Sequence, residues 1–371
     1  MTDLESTGPH PVKILLVDDE PERHEGLISR MRHRAKIVSL DPSDVTLADL
    51  ADIDLVSVDE YFADEWYGSI ADLSASLRNE DGLAVAAAFR SQARGLSKDY
   101  AVSLHSGELA RLAAGLPVST REGLTAAQHD LDWVFAYGSD AFGERLVDLA
   151  VAVRSATQSG SSFREDAGAS WLQAPDTSWK LVAQDQIEDC RPPAHALAEN
   201  TGGRSYVRWL AQRILPYPTF LYDQNHSANI LGILPESFQA IASLGKVRPI
   251  EYRGPLQSFL GQRWWRAGWQ GLLREAGVTT WDTSSAKAEA LSRVLDTTLL
   301  PLPHEQTVVT YDLESRVVDV GADLTVSVRL NLDGWPVFAD DPWASSAATA
   351  SDPSLLRLVA RADRAQIEDI A

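Results

Sequence analysis

Three acids carry the chemistry of this sequence. Asp18 and Asp19 stand side by side at the end of the apolar run Ile14-Leu15-Leu16-Val17, and Asp59 closes a second run, Leu55-Val56-Ser57-Val58. Each run is short, branched and apolar, as a strand buried on both faces of a sheet must be. Two parallel strands that end in carboxylates place all three acids in one crevice at the C-terminal edge of the sheet. That is a set of hard oxygen donors, suited to a divalent cation such as Mg2+ and to phosphate chemistry.

The surrounding elements are those needed to hold such strands. Strand signals fall at 12–17, 36–40, 54–58, 101–105 and 133–137, with helical signals between them from Pro21, over 82–93 and from about 139. Five strands alternating with helices predict a parallel sheet covered on both faces. The chain of 371 residues is long enough for two domains. Residues 11–155 form the first, the small polar residues of 156–170 read as a linker, and 171–371 form a Trp-rich second domain. The second is mainly helical, with strand-like stretches around 307–338 and a last helix from Pro353.

Bulk properties exclude several classes. No uninterrupted apolar stretch is long enough to span a bilayer, and the polar, acidic N-terminus is not of signal type. Cys190 is the only cysteine, which rules out an internal disulfide and fits a reducing, cytoplasmic setting. The net charge of −20 disfavours general binding to nucleic acid or anionic membrane. Against this background, Arg204–Arg274 holds nine basic residues and three acids. Such a basic island fits an acidic partner or the acidic N-terminal domain itself.

With the motifs Val17-Asp18-Asp19-Glu20, Asp54-Leu-Val-Ser-Val-Asp59, Asp81-Gly82-Leu83 and Ser106-Gly107 in view, residues 11–155 resemble the receiver domain of two-component response regulators. The resemblance implies a flavodoxin-like α/β domain, five-stranded, parallel and doubly wound. It further implies that Asp18, Asp19, Asp59 and the backbone carbonyl of Tyr61 hold Mg2+. Asp59 is then the phosphoacceptor and Ser106 the hydrogen-bond donor to the phosphoryl group. Trp133 and Phe135 on the fifth strand take the switch role. A sensor histidine kinase or phosphotransfer protein is the implied donor, a protein the downstream partner, and a homodimer an accessible state. The chain is then a signalling protein and not an enzyme. Two departures stand out. Receivers carry a lysine at the end of the fifth strand, where this chain has Ala136 and Tyr137. The segment between Asp59 and Asp81 is also far longer than receivers use.

Beyond 170 the residues admit several readings. A helix over Pro255–Arg274 would be apolar on two sides, so it is either core or a hot-spot surface of Arg263, Trp264, Trp265, Arg266 and Trp269 for protein binding. The segment 227–241, with Gly232 at a turn-like place, faintly follows a helix-turn-helix, the basis of an alternative reading as a DNA-binding regulator. Another alternative is an adaptor that keeps the receiver fold without phosphorylation. His195, His226 and His304 lack ligand spacing. An enzyme in the C-terminal domain using Asp340 and Asp341 near Trp343 is a further alternative, since adjacent acids echo metal ligands, but a turn before Pro342 explains the pair as well.

Overall fold

Strands β1 (Val12–Val17), β2 (Ala35–Leu40), β3 (Leu55–Asp59), β4 (Ala101–Ser106) and β5 (Trp133–Ala136) form one sheet in the order β2-β1-β3-β4-β5. Every neighbouring pair is parallel. This is an α/β arrangement with the flavodoxin-like strand order, seen in a computed structural model. The model describes residues 11–62, 82–93, 100–113, 118–159, 168–193, 202–280 and 282–302, with short pieces at 308–311, 317–321, 327–329, 343–345, 353–359 and 364. The connection from β1 runs to β2 on one side of it, and the connection from β2 returns past β1 to β3 on the other. The sheet therefore opens a crevice between the C-terminal ends of β1 and β3.

Alternation along the strands divides the core in two. Ile14, Leu16, Leu55, Ala101, Trp133 and Phe135 face one side, while Leu15, Val17, Val56, Val58, Val102, Leu104 and Val134 face the other. Helix α1 (Glu25–Met31), entered through a 3-10 turn at Pro21–His24, covers the first face. The other face packs against α2 (Leu47–Leu50), α3 (Gly82–Ala93), α4 (Leu109–Leu112) and α5 (Val118–Gln128). Helix α6 (Phe142–Ser159) lies with α1 and runs through the first residues of the expected linker; 160–167 fall outside the described residues. By the same alternation, Asp18, Asp59 and the strand residue His105 belong to the α1/α6 face.

The apolar cluster on that face continues into the C-terminal region. There lie α7 (Lys180–Asp189), α8 (Gly202–Trp209) with a π-turn at Leu210–Ile214, α9 (Gln224–Leu231), α10 (Pro235–Ile241), α11 (Arg266–Glu275) and α12 (Ser284–Leu295). Helix α8 lies so close to α6 that a Cβ on Gly203 would meet the carbonyl carbon of Ala156 at 2.7 Å. Part of the basic island faces the sheet domain: Arg208 pairs with Asp130 and Asp132, and Arg204 donates to the carbonyl of Tyr100 at 3.1 Å. Further on, β8 (Val308–Tyr311) pairs with β9 (Val317–Gly321), β10 (Ser327–Arg329) with β11 (Trp343–Ser345), and α13 spans Pro353–Leu358.

The stretch 255–274 differs from the expected single helix. Leu256 and Gly261 adopt positive φ, which breaks any helix there, and Trp264–Trp265 forms β7, paired antiparallel with β6 (Leu221–Tyr222). Only α11 is helical. Nor is this an exposed hot-spot surface: Trp264, Trp265 and Trp269 are all at most 3% exposed. Trp265 stacks on Phe220 and Trp269 donates from its indole to Ser227 Oγ at 2.9 Å. Arg263, also buried, donates twice to the carbonyl of Leu215, and Arg266 lies over the Tyr222 ring. Large apolar area is worth most inside, and these tryptophans form the centre of the helical core.

Candidate functional site

The crevice assembles as the alternation requires. Asp18 follows β1 and is 1% exposed, Asp19 is half-buried beside it, and Asp59 ends β3, half-buried. One donor atom of each lies within 4.8 Å of the other two. Asp18 is fixed from several sides: its Oδ1 accepts from the Glu20 N–H at 2.8 Å and its Oδ2 lies 2.9 Å from His24 Nε2. His105 Nε2 stands 3.6 Å from the same oxygen, beyond hydrogen-bond length. Burial alone would raise the Asp18 carboxyl. The contacts with His105 and His24 and the Glu20 N–H outweigh it and hold Asp18 well below the usual carboxylate range.

Asp59 is in the opposite state. Burial first, then the neighbouring charges of Asp18 and Asp19, push its carboxyl up to about 7, against the pull of the Glu60 N–H and Arg23. The Glu60 N–H donates to Asp59 Oδ1 at 2.8 Å. The next strand places His105 level with Asp59 and Ser106 level with Ala136 of β5. Gly82, which opens α3, lies so near that a Cβ there would meet the Asp59 carbonyl oxygen at 1.7 Å. Its backbone N–H donates to the Glu60 carbonyl at 3.0 Å. The glycine is thus required by the close approach of α3 to the end of β3.

Ser106 is buried at the end of β4, where its hydroxyl donates to the buried carboxylate of Glu60 and accepts from the Glu108 N–H at 2.9 Å. Tyr61 is exposed; its ring carries Arg111 at 4.7 Å and its hydroxyl accepts from that guanidinium. At the end of β5, Tyr137 packs edge-on against His24, with Arg23 5.7 Å from its ring centre. Trp133 and Phe135 are buried against Phe259 of the C-terminal region, with ring centres 4.9 and 6.1 Å apart, and Arg145 lies over all three rings.

The structure therefore groups Asp18, Asp19 and Asp59 and sets Ser106 one strand away. It separates them from Arg263, Trp264, Trp265, Arg266 and Trp269, which belong to the helical core. Sequence reasoning passes over His24, His105, Glu60 and Arg23. His24 lies six positions after Asp18 and His105 directly precedes Ser106, and only the fold turns these spacings into contacts. Asp81, Asp340 and Asp341 and the long segment from 63 lie outside the described residues. No known protein-family model matches this chain, and no curated protein matches it either.

Proposed function

We propose that this chain is an atypical response regulator, a signalling protein that accepts a phosphoryl group on Asp59. The observation that carries the reading is the convergence of Asp18, Asp19 and Asp59 at the β1/β3 crevice, in the flavodoxin-like strand order. The donor set fits Mg2+: all three are hard oxygens, and burial with the charges of Asp18 and Asp19 raises the Asp59 carboxyl, a repulsion that a cation would offset. Asp18, Asp19, Asp59 and the Tyr61 carbonyl would hold the ion, which supplies charge neutralisation at the transferring phosphoryl group.

In the proposed reaction a carboxylate oxygen of Asp59 attacks the phosphorus of a phosphohistidine on a sensor kinase or phosphotransfer protein. The O–P bond forms, the P–N bond breaks, and the imidazole leaves with the electron pair and takes up a proton. Arg23, close enough to Asp59 to draw its carboxyl down, supplies positive charge in place of the lysine that β5 lacks. Glu60 opposes the reaction, because its carboxylate engages the hydroxyl of Ser106 that would otherwise donate to the phosphoryl oxygen. The contacts of Trp133 and Phe135 with Phe259 give the state of β5 a route to the helical region, where a downstream protein would read it.

The test is incubation of the full chain with Mg2+ and a small acyl phosphate, followed by intact mass. A single phosphoadduct that is absent from Asp59→Asn supports the reading. No adduct, or one that survives Asp59→Asn, overturns it; the first result leaves the phosphorylation-independent adaptor as the better account. The helix-turn-helix reading gains no comparable support. Helices α9 and α10 do flank Gly232, but the exposed residues of α10 include Glu236, Gln239 and Ala240, and none is basic.

A further inference from the structure

Behind the acid crevice, and one layer deeper, lies a second set of donors. Asp18, His24 and His105 each offer one donor atom, all within 4.8 Å of one another, and all three residues are at most 1% exposed. The two imidazole rings meet edge to face with centres 5.4 Å apart. Their surroundings leave the set incomplete. His105 Nδ1 is engaged at 3.1 Å by Ser57 Oγ, while His105 Nε2 is buried, directed at the Asp18 carboxylate and without a hydrogen-bond partner. His24 Nδ1 is likewise buried and unpartnered. An unpartnered imidazole nitrogen, His105 Nε2, beside a buried carboxylate needs explaining, since buried polar groups are nearly always paired.

We infer that Asp18, His24 and His105 form a buried site for a first-row transition-metal ion such as Zn2+, distinct from the oxygen-only Mg2+ set of the crevice. Two imidazoles and a carboxylate are borderline donors that favour zinc, cobalt or nickel over magnesium. With metal–ligand bonds of about 2.0–2.1 Å, tetrahedral ligand atoms lie roughly 3.4 Å apart. The observed Asp18–His24 and Asp18–His105 separations of 2.9 and 3.6 Å bracket that value. Ser57 provides the outer hydrogen bond that ligating histidines use to fix their orientation, here on His105 Nδ1. Binding replaces the proton shared between His24 Nε2 and Asp18 and gives His105 Nε2 a partner. Water completes the coordination.

The ion would tie three separate pieces of the chain together: the end of β1, the turn that leads into α1, and the end of β4. Near-complete burial of all three residues suits an ion that holds these pieces in place. The site does not depend on phosphorylation of Asp59, although both readings use Asp18.

Cobalt(II) is the probe. The full chain, first stripped with a chelator, is titrated with Co2+ while visible absorption is followed, with Mg2+ in hundredfold excess as competitor. The expected result is one Co2+ per chain with the intense bands of a four-coordinate nitrogen-containing site, not displaced by Mg2+. His24→Gln and His105→Gln, checked for folding by circular dichroism, should each weaken binding by at least about tenfold. Asp19→Asn should leave the bands in place, since Asp19 belongs only to the oxygen set. Absence of intense bands in the unmodified chain overturns the inference, whatever the variants do. So does displacement by Mg2+, or bands lost in Asp19→Asn and retained in both histidine variants. A phosphoadduct without cobalt bands, or cobalt bands without a phosphoadduct, separates failure of this inference from failure of the phosphoacceptor reading.

Discussion

Replacing Asp59 by Asn should stabilise the cation-free protein, and only above a definite pH. The Asp59 carboxyl is raised from 3.8 to about 7 in the folded chain, chiefly by burial and then by Asp18. Between those two values the folded state holds a proton that the unfolded state has released. Stability therefore falls as pH rises through this window. A displacement of roughly three pH units, at about 1.36 kcal/mol each, sets an upper bound of about 4 kcal/mol. Asp59 is part-exposed, and solvent screening reduces this to about 2 kcal/mol. Asp18 contributes with the opposite sign in a different window: its depressed carboxyl loses stability only as pH falls below about 4. The assay is urea unfolding of the natural chain and Asp59→Asn in chelator, from pH 4.5 to 8. The two should differ least near pH 4.5 and diverge to about 2 kcal/mol at pH 8, with Asn the more stable. Adding Mg2+ at pH 8 should close the gap by stabilising the natural chain alone. A difference that does not vary with pH, or an Asn variant that is the weaker at pH 8, would refute the account of the crevice as an under-neutralised acid cluster.

Three further outcomes follow from the same geometry. Glu60→Gln removes the negative charge that engages Ser106 and should raise the phosphoadduct fraction, by about tenfold if the carboxylate costs the reaction about 1.4 kcal/mol; intact mass at fixed time reads it, and an unchanged yield would count against Glu60 as a brake. Gly82→Ala places a Cβ against the Asp59 carbonyl and should cost about 3 kcal/mol in thermal or urea unfolding, whereas Gly107→Ala, with open space around it, should stay within about 0.5 kcal/mol. Arg154→Met takes away the charge partner of the buried Asp54 carboxylate, to which Arg154 donates through Nε at 3.1 Å and which keeps the Lys13 N–H at 2.8 Å; it should cost about 2 kcal/mol, part of which Asp54→Asn in the same chain recovers.

The sheet was legible because its signal is local. The runs ending at Val17, Val58 and His105 carry their own strand preference, and acids directly after β1 and at the end of β3 can only emerge at the C-terminal edge. What was not legible depends on contacts between distant parts of the chain. His24 and His105 are single histidines with no ligand spacing, and only the parity of β4 and the turn at Pro21–His24 bring both to Asp18. Glu60 follows Asp59 as an ordinary surface-type residue would, yet it is buried against Ser106 from a neighbouring strand. The segment 255–274 was misread for another reason. Its composition suits a helix, but positive φ at Leu256 and Gly261 and the pairing of Trp264–Trp265 with Leu221–Tyr222 divide it into turn, strand and helix.

These long-range contacts change what the crevice can be. Judged by the missing lysine alone, the site lacks its positive charge and the acids stand unbalanced. The fold supplies charge from another direction, through Arg23 at the outer rim beside Tyr137, while the imidazoles of His24 and His105 pack beneath Asp18. Asp18 therefore serves two layers at once, with one oxygen turned to the histidines and the other to the Glu20 N–H. A ligand that engaged Asp18 from the crevice would compete with His24 for it, whereas one held by Asp19 and Asp59 would not. Cation binding in the outer layer should therefore draw most on Asp19 and Asp59, with Asp18 contributing less because His24 shares its carboxylate. This division of labour gives Asp19→Asn a larger effect on Mg2+ affinity than the burial of Asp18 would suggest.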